Sequence, residues 1–308
     1  MSVPLIVTGV DGFVGRHVAR LGASAGWSIT GISRADRPDR SLSPFLDRYI
    51  CADLTQSWPS GLPHDAPVIH LAGLSAVGPS FATPQRYLDQ NSAMTTHLCE
   101  ARLSSGSGAP IIGVSTGAVY ASDADESMHR ETDRLEFTSP YVVSKVLVEN
   151  QLAYYRRRGV STVVVRPFNH IGPGQRTGFL VPDLLTRLKR ISPGAELSVG
   201  NLKSRRDYTD VRDVARAYLA LASTPSLTDS LFNVASGSSR SGEEILGLLC
   251  GALEIAVPPV VVDVDRVRPD DPAVITGDAS RLREAVGWAP SIPLEQTIED
   301  IVRDSISR

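Results

Sequence analysis

Short apolar runs alternate with helical patterns along the first half of the chain. Six runs are rich in β-branched residues and are bounded by turn-forming residues, which is typical of buried strands. They are Leu5–Thr8, Ser28–Ile32, Arg48–Cys51, Val68–Leu71, Ile111–Ser115 and Thr162–Arg166. Helical periodicity is found between them at Phe13–Ala25, Gln85–Leu103 and Tyr141–Arg158. This alternation predicts βαβ units and an α/β fold, a doubly wound parallel sheet with helices on both faces.

The pattern changes after Pro167, where the segments become shorter and are separated by proline and glycine. A long helix is still indicated at Asp210–Ala222, because its apolar positions lie on one face. We therefore expect a first domain over residues 1–166, whose sheet is completed by later segments near 207–234. Residues 167–308 are expected to form mainly a smaller C-terminal α/β lobe.

The composition is that of an ordinary globular protein, with 308 residues, 42% hydrophobic residues and a net charge of −3. This charge gives no reason to expect a nucleic-acid partner. Cys51, Cys99 and Cys250 lack metal-ligand spacing, so we expect no metal, and their odd number suits a reducing cytoplasm. No signal-peptide pattern precedes the first strand, and no stretch approaches the ~20 apolar residues that span a bilayer. We expect a cytoplasmic protein without a membrane partner.

A glycine triplet follows the first predicted strand and opens the first predicted helix. Gly9, Gly12 and Gly15 have the spacing GxxGxxG, and Phe13 and Val14 lie between the last two. These glycines allow a tight turn and close approach to a pyrophosphate, while the helix N-terminus offers free N–H groups and a positive dipole end. A glycine-rich turn without a ligand is the alternative. The place of the triplet in the first βα unit favours a dinucleotide cofactor.

The end of the second predicted strand indicates which dinucleotide binds. An acidic residue there would accept hydrogen bonds from a ribose 2′-hydroxyl and repel a 2′-phosphate. The chain instead has Ser33, a small donor, and Arg34, a planar cation that pairs with phosphate. We therefore favour NADP(H) over NAD(H). Asp36 and Asp39 lie close by, and the alternative is that Arg34 belongs to a basic surface loop.

Tyr141 and Lys145 form a YxxxK motif at the start of a predicted helix. Residues four apart share a helical face, and a neighbouring ammonium is expected to lower the phenol pKa, so that Tyr141 can exchange a proton with a sugar hydroxyl or ketone. An amphipathic surface pair is the alternative. Thr116 favours catalysis, because it follows a buried strand run, and ligands lie beyond the carboxyl ends of the strands in such sheets.

The glycine triplet, Thr116 and the YxxxK motif together resemble the extended short-chain dehydrogenase/reductase family, whose members mostly modify nucleotide-sugars. The resemblance covers nearly the whole chain. It implies that residues 1–166 bind the dinucleotide and that residues 167–308 mainly bind the nucleotide-sugar. The long run Arg166–Gln175, in particular, is similar to the one found in GDP-4-keto-6-deoxy-D-mannose reductases.

The resemblance also implies roles for residues outside these motifs. Further cofactor contacts are implied for Asp53, Leu54, Leu71, Ala72, Gly73, Asn91, Pro167 and Phe168, the last two beside the nicotinamide. Substrate contacts are implied for Ser115, Asn169, His170, Val181, Arg206, Arg268 and Asp271. The planar guanidinium groups of Arg206 and Arg268 would bind the pyrophosphate, and Asp271 would reach a ribose hydroxyl. The alternatives are surface salt bridges for the two arginines and a purely structural role for His170.

The residues after Thr116 bear on the reaction type. Dehydratases that resemble this family have an Asp-Glu pair there, to remove a proton and protonate the leaving hydroxyl. Gly117 and Ala118 can transfer no proton, so a dehydratase is disfavoured. The resemblance favours NADPH-dependent reduction at C4 of a nucleoside-diphosphate 4-keto-6-deoxyhexose, with Tyr141 as proton donor. A 4-epimerase with tightly bound NAD(P) and a non-catalytic dinucleotide-binding regulator remain the alternatives.

Two further expectations concern the sugar and the assembly. Ala121 follows Tyr120 where the resemblance predicts glycine, and the segment 121–131 is unusually acidic, which leaves the identity of the sugar undetermined.

The predicted helices Gln85–Leu103 and Tyr141–Arg158 have apolar residues on more than one face. The resemblance suggests that they form a four-helix bundle in a homodimer, although these residues could also face the sheet.

Overall fold

A seven-stranded parallel sheet forms the centre of the computed structural model, which describes residues 3–121, 128–192, 194–224, 226–264 and 272–306. Its strands lie in the order β10-β6-β5-β4-β1-β2-β3. They are β1 (Val3–Thr8), β2 (Trp27–Ser33), β3 (Arg48–Cys51), β4 (Val68–His70), β5 (Ile111–Val114), β6 (Thr162–Pro167) and β10 (Leu231–Val234). The order reverses between β1 and β4, which is where open α/β sheets bind their ligands.

Helices cover both faces of this sheet. They are α1 (Phe13–Ser24), α2 (Val77–Ala82), α3 (Pro84–Ser105), α4 (Pro140–Arg157) and α6 (Val211–Ser223). Leu5 and Val7 of β1 pack in the hydrophobic cluster that contains α1 and α6, whereas Ile6 packs in the cluster that contains most buried apolar residues of α3 and α4. Because neighbouring strand residues face opposite sides, one apolar strand contributes to both cores. The predicted α/β doubly wound fold is confirmed.

The second half adds a smaller α/β lobe. Its elements are β7 (Asn169–Ile171), α5 (Leu180–Leu188), β8 (Leu197–Val199), β9 (Arg205–Asp210), β11 (Ser239–Ser241), α7 (Gly242–Ala252), β12 (Val260–Val262), β13 (Val274–Ile275), α8 (Ser280–Val286) and α9 (Leu294–Ile306). Strands β7, β11 and β13 pair with β9, and β8 pairs with β12. Helices α5, α7 and α9 share a separate apolar core.

The elements predicted for the first half are confirmed within two residues at each end. The helix predicted at Asp210–Ala222 is α6, and its face with Val214 and Tyr218 packs in the core of the large sheet. Strand β10 also joins that sheet, beside β6. The chain therefore returns to the first core after position 167, while the functional division into 1–166 and 167–308 stays a prediction.

Three further observations concern membrane-spanning helices, metal-ligating clusters and cysteines. Within the described ranges, no helix is long and apolar enough to cross a membrane. No group of three His, Cys, Asp or Glu side chains in that part of the chain is arranged to hold a metal ion. Cys51, Cys99 and Cys250 are free thiols, and only Cys51 is exposed.

Candidate active site

The glycine loop after β1 forms a narrow crevice against the end of β4. Gly9 has φ +64°, a conformation that other residues adopt only with strain, and a Cβ there would lie 2.8 Å from the amide nitrogen of Ala72. Gly12 is the N-cap of α1 and has no side chain to cap the helix, so the N–H groups of the first turn face outward. A pyrophosphate fits this arrangement of close backbone and helix dipole.

The Thr8 hydroxyl, buried at the end of β1, fixes the backbone of Leu71 and Ala72, which forms the other wall of the crevice. Thr8 Oγ1 accepts hydrogen bonds from the amides of Leu71 and Ala72, both at 3.1 Å, and lies 2.8 Å from His70 Nδ1. Because its acceptor positions are used by the two amides, the hydroxyl donates to Nδ1, and the His70 proton resides on Nε2. Burial lowers the His70 pKa to about 3, so the ring stays neutral. Sequence reasoning missed Thr8, whose position directly before Gly9 was the available signal.

The residues predicted on the adenine side lie at the ends of β2 and β3. Ser33 is half-buried and Arg34 is exposed, while Asp53 Oδ1 accepts hydrogen bonds from the amide and hydroxyl of Thr55. These hydrogen bonds, helped by the charge of Arg34, lower the Asp53 pKa. The Leu54 side chain is buried in the core, so only its backbone is available to a ligand.

Asn91 fixes the loop that follows β4. Its Oδ1 accepts from the Leu74 amide at 2.8 Å, and its Nδ2 donates to the Leu74 carbonyl and to Ser144 Oγ. A Cβ on Gly73 would lie 3.2 Å from Asn91 Oδ1 and 3.7 Å from Lys145 Nζ. The predicted cofactor loop 71–73 and the predicted catalytic lysine are therefore neighbours.

Helix α4 carries the predicted catalytic pair in its first two turns. Ser139 caps the helix by accepting from the Val142 amide, and Pro140 occupies the first turn, where its missing N–H is not needed. Lys145 Nζ is buried and donates to the Val114 carbonyl at 2.9 Å, directly at the end of β5. Burial lowers the Lys145 pKa to about 8.

The Tyr141 phenol is buried between Thr116 and Tyr87. Burial raises its pKa to about 12, a hydrogen bond with the Thr116 hydroxyl opposes this rise, and Tyr87, whose ring packs edge-on at 6.5 Å, adds to it. The expectation that Lys145 lowers this pKa is therefore wrong, since burial is the largest influence and Thr116 is the neighbour that favours the phenolate. Tyr141 keeps its proton at neutral pH.

Three other predicted side chains are directed into the protein interior. The Ser115 hydroxyl donates to Glu149, behind β5, and Ser115 is only 3% exposed. Val181 lies in the first turn of α5 with its side chain in the core of the smaller lobe. The Phe168 ring is buried directly beneath Gly117, so only the backbone at Pro167 and Phe168 can border the crevice. Side-chain contacts from these residues to a ligand are not supported.

Strand β7 brings the smaller lobe to the glycine loop. The His170 ring stacks on Phe13, the first residue of α1, with 6.0 Å between ring centres, and burial lowers its pKa. Asn169 is exposed beside it. Arg206 is half-buried on β9 and donates to the Arg205 and Pro272 carbonyls. The other two predicted substrate residues, Arg268 and Asp271, lie outside the described residues.

A glycine-lined helix N-terminus near a buried Tyr–Lys pair and the half-buried Thr116 is typical of a dinucleotide-dependent oxidoreductase. The model of the NAD dependent epimerase/dehydratase family matches residues 5–235, and the chain belongs to this family. It is an NAD(P)-dependent oxidoreductase of the extended short-chain dehydrogenase/reductase type.

The relatives include reductases and epimerases. The chain is 33% identical to the GDP-6-deoxy-D-mannose reductase of Pseudomonas aeruginosa, over 100% of this chain and 99% of the relative. A solved structure of RMD from that organism, complexed with NADPH, has 31% identity and a TM-score of 0.84, and the match covers both chains fully. UDP-glucose 4-epimerase 3 of Oryza sativa subsp. japonica is 27% identical, over 97% of this chain and 88% of the relative.

Gly9 offers a test of the crevice. Gly9→Ala places a methyl group against Ala72, whereas Gly61→Ala meets the same unfavourable φ, +70°, with nothing within 4 Å. We expect both variants to lose about 1–2 kcal/mol of unfolding free energy from backbone strain. Only Gly9→Ala should weaken dinucleotide binding, by about tenfold or more, in fluorescence titrations with NADPH and NADH. Equal binding by the two variants would show that the crevice is not the dinucleotide site.

Proposed function

We propose that this enzyme reduces the C4 ketone of a nucleoside-diphosphate 4-keto-6-deoxyhexose, similar to GDP-4-keto-6-deoxy-mannose, with NADPH. The observation that carries the proposal is the buried Tyr141 phenol, which forms a hydrogen bond with Thr116 at the end of β5 and keeps its proton at neutral pH. Reduction of a ketone needs such a proton donor. The reductase relative matched over the whole chain supports the same assignment.

NADPH bound along the glycine crevice would supply the hydride to C4. The Tyr141 hydroxyl donates its proton to the C4 oxygen, which becomes a hydroxyl group, and the resulting phenolate is reprotonated from solvent. Thr116 donates a hydrogen bond that orients the same oxygen. The Lys145 ammonium, which lies beside Gly73, holds the ribose next to the nicotinamide.

The environment of Gly117 argues against a dehydratase. A Cβ at this position would lie 2.9 Å from the Phe168 ring, so an acidic side chain does not fit without displacing that ring. Ala118, the next residue, has no titratable group. A C4 epimerase uses the same Tyr–Lys–Thr group, and epimerases occur among the relatives. Net consumption of NADPH separates the two reactions.

The substrate would lie between the end of β5 and strand β7. Asn169 is exposed there and offers an amide to the nucleotide-sugar, and His170 lies beside Phe13 at the edge of the crevice. We assign the pyrophosphate to Arg206, together with Arg268, and a ribose hydroxyl to Asp271. The first turn of α5 contributes backbone N–H groups, since Val181 directs its side chain inward.

Replacement of Tyr141 tests the proposed proton transfer. We expect Tyr141→Phe to lower kcat for a 4-keto-6-deoxyhexose substrate by about 10²–10⁴-fold, because the general acid is lost while the ring remains. NADPH oxidation, followed by the absorbance of the reduced nicotinamide, measures the rate. Tyr154→Phe is the matched control, since this exposed tyrosine lies on the same helix. Wild-type turnover by Tyr141→Phe would overturn the assignment.

Arg34 is proposed to select NADPH through its 2′-phosphate. It is exposed at the end of β2, and the similar reductase structure contains NADPH. Arg34→Ala should raise the Kd for NADPH by about tenfold or more, which corresponds to a lost charge-assisted hydrogen bond, and leave the Kd for NADH nearly unchanged. Arg40→Ala, in the same loop, is the control. If Arg34→Ala weakened the binding of NADPH and of NADH equally, the proposed role of Arg34 would be contradicted.

The enzyme is proposed to form a homodimer through α3 and α4. Val143, Leu147 and Tyr154 form one exposed stripe along α4 and are 39%, 38% and 55% exposed. Leu147→Glu should shift the mass in sedimentation velocity from dimer to monomer, because it places a charge in an apolar interface. Ile255→Glu replaces an apolar residue of similar exposure, 39%, outside α3 and α4 and should leave the mass unchanged. A monomeric wild-type protein would contradict the proposal.

The cytoplasmic location stays a prediction.

A further inference from the structure

A buried ion pair lies directly behind the Tyr–Lys–Thr group. Arg166 donates to both carboxylate oxygens of Glu149, from Nε at 2.9 Å and from Nη2 at 2.6 Å. The two side chains are 4% and 11% exposed. A bidentate pair of this kind has a fixed geometry, and removing one partner leaves an uncompensated buried charge.

The pair connects three elements at the positions next to the site. Glu149 lies one helical turn after Lys145 on α4, Ser115 directly precedes Thr116, and Arg166 directly precedes Pro167. The Ser115 hydroxyl donates to the same carboxylate oxygen that accepts from Arg166 Nε. The ends of β5 and β6 are thereby tied to α4 at one carboxylate.

Arg166 is itself fixed on its other side. Its Nη1 donates to the Tyr120 hydroxyl at 3.1 Å and to the Glu131 carbonyl at 3.3 Å. Tyr120 donates in turn to Asn233 Oδ1 on β10, and its ring stacks on Phe168 with 5.9 Å between ring centres. The arginine therefore cannot move away from Glu149 without breaking its contacts with Tyr120 and Glu131.

We propose that Glu149 is a positioning residue of this enzyme, which supports the charge of Lys145 from one helical turn away and, through Ser115, sets the place of Thr116. The part that concerns turnover rests on the proposed reductase function. The part that concerns Lys145 does not, because the state of the lysine can be measured without substrate.

The charged and titratable groups around Lys145 make this role measurable. Tyr141 and Glu149 lie one helical turn before and after it on α4, His70 lies close by on β4, and Arg166 lies behind Glu149 on β6. Tyr141 and His70 are neutral near pH 7, since burial raises the pKa of the first to about 12 and lowers that of the second to about 3. Burial lowers the Lys145 pKa to about 8, and the Glu149 charge opposes this fall.

Glu149→Gln removes that negative charge and keeps the shape of the side chain. We expect the Lys145 pKa to fall from about 8 by about 1, so that the ammonium loses its proton at lower pH. Lysine labelled with ¹³C at Cε reports this directly, because the chain has only three lysines, Lys145, Lys189 and Lys203. Lys145→Arg assigns its signal in the NMR titration.

A second pair of variants separates charge from packing. Glu149→Asp keeps the charge, so its Lys145 pKa should stay closer to the wild-type value than that of Glu149→Gln. Glu100→Gln alters an exposed pair with Arg158 and should leave the Lys145 titration unchanged. A folded Glu149→Gln protein with the wild-type Lys145 pKa would overturn the proposed control of the lysine charge.

Ser115→Ala tests the link to Thr116 and is small enough to be expected to fold. We expect kcat for the 4-keto sugar to fall by about fivefold or more, because a hydrogen bond that fixes the neighbour of Thr116 is lost. The Lys145 titration should be unchanged. Wild-type kcat in this variant would overturn the positioning of Thr116. If wild-type enzyme itself shows no ketoreductase activity, the reductase function fails, while the NMR titration still decides the role of Glu149.

Discussion

Helix α4 is held over the end of β5 by the hydrogen bond from the Lys145 ammonium to the Val114 carbonyl, and the rest of the candidate site depends on this contact. It places the lysine beside Gly73 of the cofactor loop and Tyr141, one turn earlier, beside Thr116. An ammonium is costly to bury, and the hydrogen bond to the Val114 carbonyl and the nearby Glu149 charge oppose that cost. The same burial keeps the Tyr141 proton in place.

Most of the first core could be predicted from local signals. Buried parallel strands are short apolar runs, and helices repeat their apolar positions about every 3.6 residues. Both patterns are visible within a few neighbouring residues of the sequence. The glycine triplet also encodes its own geometry, since the φ of Gly9 and its close approach to Ala72 exclude other residues. Tyr141 and Lys145 share a helical face by spacing alone, and Thr116 follows from its place at a strand end.

The direction of individual side chains could not be predicted, because it depends on contacts between distant segments. Ser115 and Thr116 are neighbours in the chain, yet the first turns to Glu149 and the second to Tyr141, as alternate residues do at a strand end. The same reason explains the Tyr141 pKa: the spacing shows Lys145 one turn along, but the burial that raises the pKa is a property of the assembled core. In the smaller lobe, β9 pairs with three strands from separate parts of the chain, a topology that no local pattern encodes.

Isotope transfer tests the central claim most directly, namely that this site adds hydride to a C4 ketone with net consumption of NADPH. The enzyme is incubated with GDP-4-keto-6-deoxy-mannose and NADPH that carries deuterium at the transferable C4 position, and the product is examined by NMR and mass spectrometry. The account predicts one deuterium at C4 of the 6-deoxyhexose for each NADP⁺ formed. Conversion of the sugar without NADPH consumption, or a reduced product without deuterium at C4, would contradict it.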